Sequence, residues 1–464
     1  MKKFFAFSLI LFFLSACGHA YDGGYPEEPA DMYYAGMIAP PTPAPTPAPT
    51  PTPIPTPEPT PEPTPEPTPE PEPEPEPLRA RLQFAGDVLL HRGPVAGARL
   101  EPYVYDFRPM LTNIRPFLDG DLNIVNMESP VDAMGGNRDI TSWPIFNVPF
   151  EILEGLQYAG FHHLIFANNH TLDRRWQGTL NTLANFQRAG FTWTGAYATR
   201  ECSFVPTIKD VNGIRVGVLA YTDSLNGLDS WIPAYMRPYA VPRFRSHVMD
   251  DVPRMAQDIA RIREYGAEFV VVSLHWGAEY VNQPSRVQRQ IATALVEYGA
   301  DVIMGHHSHT VQPVDWHYRE DGTRGLIMYS LGNFMVDQTG LLHPAQPLTH
   351  FGMLVSVNVK QCPRGETFIE SAEVLPTIFI RDRIRYLGIV NNLLPLANGE
   401  VPEFITNEPI RAWGRTSYAH VTHIVGPDLI QVSHAWSNTW VLVPYPYECV
   451  DIPYNHNKEH HNPV

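Results

Sequence analysis

From Pro41 to Pro77 every odd-numbered residue is proline, and that alternation decides what this part of the chain can become. Proline lacks an amide donor and fixes φ near −65°, so helix and sheet ladders are both denied. Polyproline II remains, at ~3.1 Å per residue, which gives this stretch a reach of roughly 110 Å. Apart from Ile54, the intervening residues pass from Thr and Ala to Thr and Glu, then to Glu alone. Their like charges extend the segment further. The stretch reads as a stalk, and residues 18–40, with few ordering signals, continue the tether.

The chain up to the end of the stalk carries more than half of the charge. Residues 1–77 hold eleven Asp/Glu against two Lys, a net of −9, which leaves −7 of the total −16 for everything after them. That remainder is mild and no basic stripe interrupts it, so nucleic acid is not an expected partner. Before the tether, Lys2 and Lys3 precede an apolar run from Phe4 to Ala16. The run is about half of the ~20 residues a spanning helix needs, and the pattern is that of a secretory signal peptide. It ends Leu14-Ser15-Ala16-Cys17, which resembles the bacterial lipobox. That resemblance implies lipidation of Cys17, with membrane lipid as a partner, and a place on the extracellular face of the bacterial plasma membrane. Of the other cysteines, Cys202, Cys362 and Cys449 show no CxxC spacing. Buried thiols are expected, with room for at most one disulfide among the three.

Folding signals start near Leu78. Short apolar strands are expected at Arg81–Ala85, Leu122–Val125, His163–Ala167, Phe269–Leu274, Val302–Met304 and Leu326–Ser330. Helices are expected at Asp173–Ala189, Asp251–Tyr265 and Ser285–Tyr298, two of them closed by Gly190 and Gly266. Asn212-Gly213 between Phe204–Lys209 and Ile214–Ala220 predicts a hairpin. Helices alternating with strands make the class α/β. Four segments follow: a leader at 1–17, the tether at 18–77, a globular domain at 78–380, and an accessory β-rich extension with a polar tail at 381–464. The extension carries strand-like runs at Val421–Val425 and Trp440–Val443, and His456, His460 and His461 lie in the tail.

Polar residues of metal-binding type fall just after the strands, where α/β sheets place their sites. They are Asp87, Glu128, Asn169, His170, His275, His307 and His309, with His91 nearby. Imidazole and carboxylate together suit manganese, zinc or iron, and a bridging carboxylate can hold two ions ~3.5–4 Å apart. His307-x-His309 would present two imidazoles on the same side of an extended segment. A histidine after a strand is more often structural than ligating. Five strand ends that each deliver such a group shift the balance to a metal site. Trp143, Trp176, Trp193, Trp231 and Trp276 are expected mainly in packing, with Trp276 singled out because it adjoins His275.

The motifs, in order, are Gly86-Asp87-Val88, Asn126-Met127-Glu128-Ser129-Pro130, Asn168-Asn169-His170-Thr171-Leu172-Asp173, His275-Trp276-Gly277-x-Glu279, Gly305-His306-His307-Ser308-His309 and Ser330-Leu331-Gly332-Asn333-Phe334. Over residues 80–375 the chain resembles the calcineurin-like metallophosphoesterases, and within them the bacterial capsule-synthesis (CapA-type) family associated with poly-γ-glutamate production. The resemblance implies a two-sheet sandwich flanked by helices and two divalent transition-metal ions. Asp87 and His309 would ligate one ion, Asn169, His275 and His307 the other, and Glu128 would bridge. His170 would orient substrate or protonate a leaving group. His91, Asn126, Glu279 and Asn333 are further candidates for metal or substrate. The chain departs from the phosphoesterase pattern in two places. The histidine of the usual Asp-x-His is displaced to His91, and Glu replaces the bridging Asp.

The functional expectation is a surface metal-dependent hydrolase in capsule assembly, acting on an anionic envelope polymer such as poly-γ-glutamate beside a membrane polymer synthase. Two alternatives stay open: a non-catalytic polymer-binding or assembly module, and a general extracellular phosphoesterase.

Overall fold

The computed structural model describes residues 75–132, 139–338, 347–381, 388–392 and 440–442. The leader with Cys17, the stalk up to residue 74, the Val421–Val425 run, Cys449 and the histidine tail lie outside the described residues.

The strands in chain order are β1 (Leu78–Leu89), β2 (Arg99–Glu101), β3 (Val104–Tyr105), β4 (Leu122–Met127), β5 (His163–Ile165), β6 (Thr192–Thr194), β7 (Thr207–Val211), β8 (Ile214–Thr222) and β9 (Phe269–His275). They continue as β10 (Val302–His306), β11 (Val314–Tyr318), β12 (Arg324–Met328), β13 (Asn333–Val336), β14 (Phe351–Gln361), β15 (Thr367–Arg381), β16 (Gly388–Asn392) and β17 (Trp440–Leu442). One sheet runs β16-β15-β14-β1-β4-β5-β6, with β13 beside β1 and β17 beside β15; the other runs β11-β12-β10-β9-β8-β7. The centre of each sheet is parallel (β1-β4-β5-β6 and β8-β9-β10-β12), and antiparallel strands flank it.

Alternation along the strands sorts side chains into two cores. Val216, Val218 and Ala220 of β8, Val271 of β9 and Met304 of β10 pack with the first sheet's Leu82, Phe84 and Val355. Their neighbours Tyr221, Val270, Val272 and Leu274 face the opposite way. There they meet Met255, Ile259 and Ile262 of the helix Val252–Glu264 and Ile291 and Leu295 of the helix Arg286–Glu297. The result is an α/β sandwich of two sheets flanked by helices.

Most expected elements form, and the differences have physical causes. The Asn212-Gly213 turn carries positive φ at both residues, 55° and 86°, the geometry that matches strand twist. Phe204 falls in a short 3-10 turn, so β7 starts only at Thr207. The helix expected from Asp173 begins at Arg175, because Asp173 is engaged with His170 and the Phe146 amide. The helix Glu151–Ala159, which the expected elements omit, opens with Glu151 and Glu154 and ends at Gly160 with φ 109°. Cys202 and Cys362 both stand in disulfides, which corrects the expectation of thiols. Trp276 is buried, and its indole donates to the Tyr329 carbonyl at 3.1 Å. It belongs to the core. In the C-terminal extension, β16 and β17 hydrogen-bond to β15 and continue the first sheet.

Ser285 caps the helix Arg286–Glu297. Its hydroxyl accepts from the Gln288 amide at 3.1 Å, and the Gln288 side chain accepts from the Ser285 amide at 2.9 Å. This reciprocal box satisfies donors the helix cannot. Ser285→Ala is expected to lower unfolding stability by about 1 kcal/mol, seen as a lower urea midpoint at unchanged slope.

Candidate metal centre

The parallel strands bring their carboxyl ends to one place. β1 pairs with β4 at Asp87↔Asn126, and Glu128 follows directly after β4. In the other sheet β9 pairs with β10 at His275↔His306. The two rims meet where His306 Nδ1 lies 2.8 Å from Asp87 Oδ1. The approach depends on glycine at two positions. A Cβ at Gly86 would stand 2.1 Å from the Gly332 carbonyl oxygen, and one at Gly305 would stand 2.0 Å from that of Tyr329.

Two sets of ligand atoms form around Glu128: Glu128 with His275 and His307, and Glu128 with Asp87 and His309. Within each set the atoms lie within 4.8 Å of one another. Asn169 Oδ1 is 2.8 Å from His275 Nε2, which places the amide beside the first set. Glu128 Oε1 is 3.3 Å from His275 Nε2 and 3.9 Å from His309 Nε2. His307 and His309 converge by a route other than the expected extended segment. β10 ends at His306, and both residues adopt left-handed φ, 88° and 54°. Such backbone costs on the order of 1–3 kcal/mol per residue and collects at functional sites.

The donor chemistry fits cations. Glu128 is fully buried, and among the described residues neither of its oxygens has a hydrogen-bond partner. A bare buried carboxylate needs a positive partner. Burial, and then the charges of Asp87 and Glu279, push the Glu128 carboxyl well above its usual range. Burial pushes Asp87 the same way, but His306 and His309 outweigh it and hold that carboxyl low. Burial, and then the neighbouring His307, keeps His275 well below an ordinary imidazole, and burial, and then His309, pushes His307 down to about 4. Both are therefore neutral, the form that ligates metal.

Hydrogen bonds behind the ligands fix their orientation. Asn126 donates to Asp87 at 2.8 Å, and its own oxygen accepts from Asn168 at 3.2 Å. Asn333 Oδ1 is 3.0 Å from His309 Nδ1, which leaves Nε2 turned toward Glu128. The Asn333 amide group in turn donates to the carbonyls of His309 and Thr349. Asn126 and Asn333 therefore hold ligands in position.

His91 joins neither set. Its Nδ1 is 3.1 Å from the Leu89 carbonyl, and burial pushes its imidazole down to about 4. Its ring meets Phe146 edge-on at 5.2 Å, and His170 meets Phe146 likewise at 4.8 Å. His170 Nδ1 is 2.8 Å from Asp173 Oδ2, which also accepts the Phe146 amide. Glu279 is exposed, and its charge acts on His307, His309 and Tyr280 from the rim.

His306 is the residue that motif reading leaves without a role. It is fully buried against Asp87, and its Nε2 has no hydrogen-bond partner among the described residues. The adjacent His-His pair hides it, because spacing alone does not say which imidazole turns inward.

The family described as bacterial capsule synthesis protein PGA_cap matches residues 81–338. Among curated proteins, the capsule biosynthesis protein CapA of Bacillus anthracis is 34% identical over 188 residues, 40% of this chain and 43% of that protein. The PGA biosynthesis protein CapA of Bacillus subtilis is 29% identical over 277 residues, 59% of this chain and 67% of that one. A probable polyglutamine synthesis accessory protein of Mycobacterium tuberculosis is 29% identical over 232 residues, 48% of this chain and 57% of that protein. The chain thus spans less than half the length of the first of these relatives. Among solved structures, the calcineurin-like phosphoesterase YfkN of Bacillus subtilis aligns at 11% identity with a TM-score of 0.38, covering 75% of this chain and 99% of that one. With the family match extending over more than half the chain, this protein belongs to the bacterial capsule synthesis family.

Proposed function

We propose that this protein is a lipid-anchored, metal-dependent hydrolase of capsule synthesis that acts on an anionic polymer such as poly-γ-glutamate at the extracellular face of the bacterial plasma membrane. The observation that carries the reading is the buried Glu128 carboxylate, which is common to two ligand sets and has no hydrogen-bond donor of its own. Asp87 and His309 would hold one ion, and Asn169, His275 and His307 the other. Two divalent ions of manganese, zinc or iron would supply a water of lowered pKa and charge to steady a developing oxyanion.

The chain's own residues do the rest. Asp173 accepts from His170 Nδ1 and so aims Nε2 away from itself, in position to hand over a proton or orient a substrate oxygen. Phe146 wedges between His91 and His170 and limits the swing of both rings. The stalk would carry this centre away from the Cys17 anchor, toward polymer emerging from a membrane synthase.

His170→Ala is expected to lower metal-dependent turnover by roughly 10²–10⁴-fold while metal content stays at the wild-type level, because His170 belongs to neither ligand set. Steady-state assays on the polymer and on chromogenic phosphate mono- and diesters, paired with elemental analysis, check this. Unchanged turnover in this variant would remove the assigned role.

A further inference from the structure

A cleft of about 490 Å³ opens between β8, the 237–243 segment and the helix Val252–Glu264, and none of the metal-ligand candidates lines it. Four arginines do, Arg237, Arg243, Arg254 and Arg261, with Asp258 the carboxylate among them. Arg254, Asp258 and Arg261 stand at i, i+4 and i+7, on one face of the helix. Asp258 accepts from the Tyr221 hydroxyl at 2.9 Å and lies 3.4 Å from Arg254 and 3.7 Å from Arg261. It acts as a post that steadies both guanidiniums. Arg243 pairs with Asp229. Arg237 donates to the carbonyls of Ile232 and Ser230, and no carboxylate among the described residues pairs with it. Four guanidiniums against two carboxylates leave a surplus of two positive charges, in a chain whose total is −16.

The spacing of the charges says what would fit. Arg254 and Arg261 spring from points about 10 Å apart along the helix. A single phosphate is held by donors that converge on it, whereas separated guanidiniums match separated carboxylates. Tyr239 and Phe204, the latter half exposed, give the cleft an apolar wall for the methylenes between such carboxylates. The cleft also borders the metal centre through one loop. Asp223 donates its amide to the His275 carbonyl at 2.9 Å, and Asn226 accepts from Asn169 at 3.4 Å. The same loop then runs on to Arg237 and Arg243.

We infer that this cleft is a second binding site, which retains a segment of a polymer carrying one carboxylate per repeating unit. The inference rests on the capsule-polymer reading and adds a grip on the chain outside the metal centre. The test uses the full-length protein, fluorescein-labelled poly-γ-glutamate of defined length, and the double variant Arg237→Glu/Arg261→Glu. Anisotropy should show at least tenfold weaker binding and a shallower salt dependence in the variant, with metal-dependent turnover of a small chromogenic ester unchanged. Equal polymer affinity in variant and wild type overturns the inference and leaves the metal-centre reading standing. Lost affinity in the variant, together with a polymer that wild-type protein never shortens, keeps the cleft and removes the hydrolase. Displacement of the labelled chain by inorganic polyphosphate at a tenfold lower concentration than by unlabelled poly-γ-glutamate would assign the cleft to phosphates and overturn the inference.

Discussion

Glu128→Gln is expected to abolish the metal pair while leaving the fold at least as stable as the metal-free wild type. The side chain is fully buried, its oxygens have no donors, and Asp87 and Glu279 add negative charge around it. Without cations this position costs stability, and glutamine of nearly the same volume removes the charge. With cations the same carboxylate is the one ligand that both sets share. Groups that merely orient ligands are worth roughly 10–100-fold in metal affinity, so losing the shared ligand should exceed that range. A ligand at 100 times its Kd stabilises by about 2.7 kcal/mol, which for a domain of about 300 residues is roughly 4 °C in Tm. Chelation should lower the wild-type Tm by about that amount and move the Glu128→Gln Tm clearly less. Equal chelator sensitivity in both proteins would remove Glu128 from the ligand set.

Gly86→Ala is expected to damage both the fold and the site. The added Cβ would meet the Gly332 carbonyl carbon at 2.8 Å and its oxygen at 2.1 Å, and that oxygen also accepts the Asp87 amide at 2.9 Å. Neither side can yield easily. β1 is held by β14 and β4, and Gly332 leads directly into β13, which pairs with β1 at Asp87↔Asn333. Overpacking of this kind costs typically 1–3 kcal/mol, and a backbone-against-backbone clash places it at about 3 or above. Displacing Asp87 and Asn333 should weaken metal binding in the same variant. Gly227→Ala is the contrast. Nothing lies within 4 Å of its Cβ position, and only the left-handed φ of 73° opposes it, at about 1 kcal/mol. Denaturant midpoints of the two variants should separate clearly, and similar midpoints would contradict the close-approach argument.

The sequence made the frame of this site legible because its signals are local. An apolar run followed by Asp, Glu, Asn or His marks a strand end, and parallel sheets gather such ends on one rim. Hence Asp87, Glu128, His275 and the His307-x-His309 pair could be singled out before any coordinates. Long-range closure was not legible in the same way. His306 and His307 are neighbours with the same side chain, and only the meeting of β10 with β1 turns the first onto Asp87. The left-handed φ of His307 and His309 likewise reflects what the site demands of the backbone, since such φ is uncommon for any residue but glycine, even for the more tolerant histidine. Asn126 and Asn333 look like candidate ligands in sequence. Their roles in orienting Asp87 and His309 emerge only from hydrogen bonds across the sheet. β14 and β15 stand outside the expected strands; β15 pairs with β14 across a short turn, but the pairing of β14 with β1 depends on closure across more than two hundred residues.

The most direct test of the central claim is the metal content of the full-length protein, purified without chelator and measured by elemental analysis alongside its thermal unfolding. The account predicts two manganese, zinc or iron ions per chain, falling to one or none in Glu128→Gln, with a wild-type Tm that drops on chelation and recovers when the metal is returned. A folded wild-type protein with only trace metal, whose Tm does not move when any of the three ions is added, would contradict it.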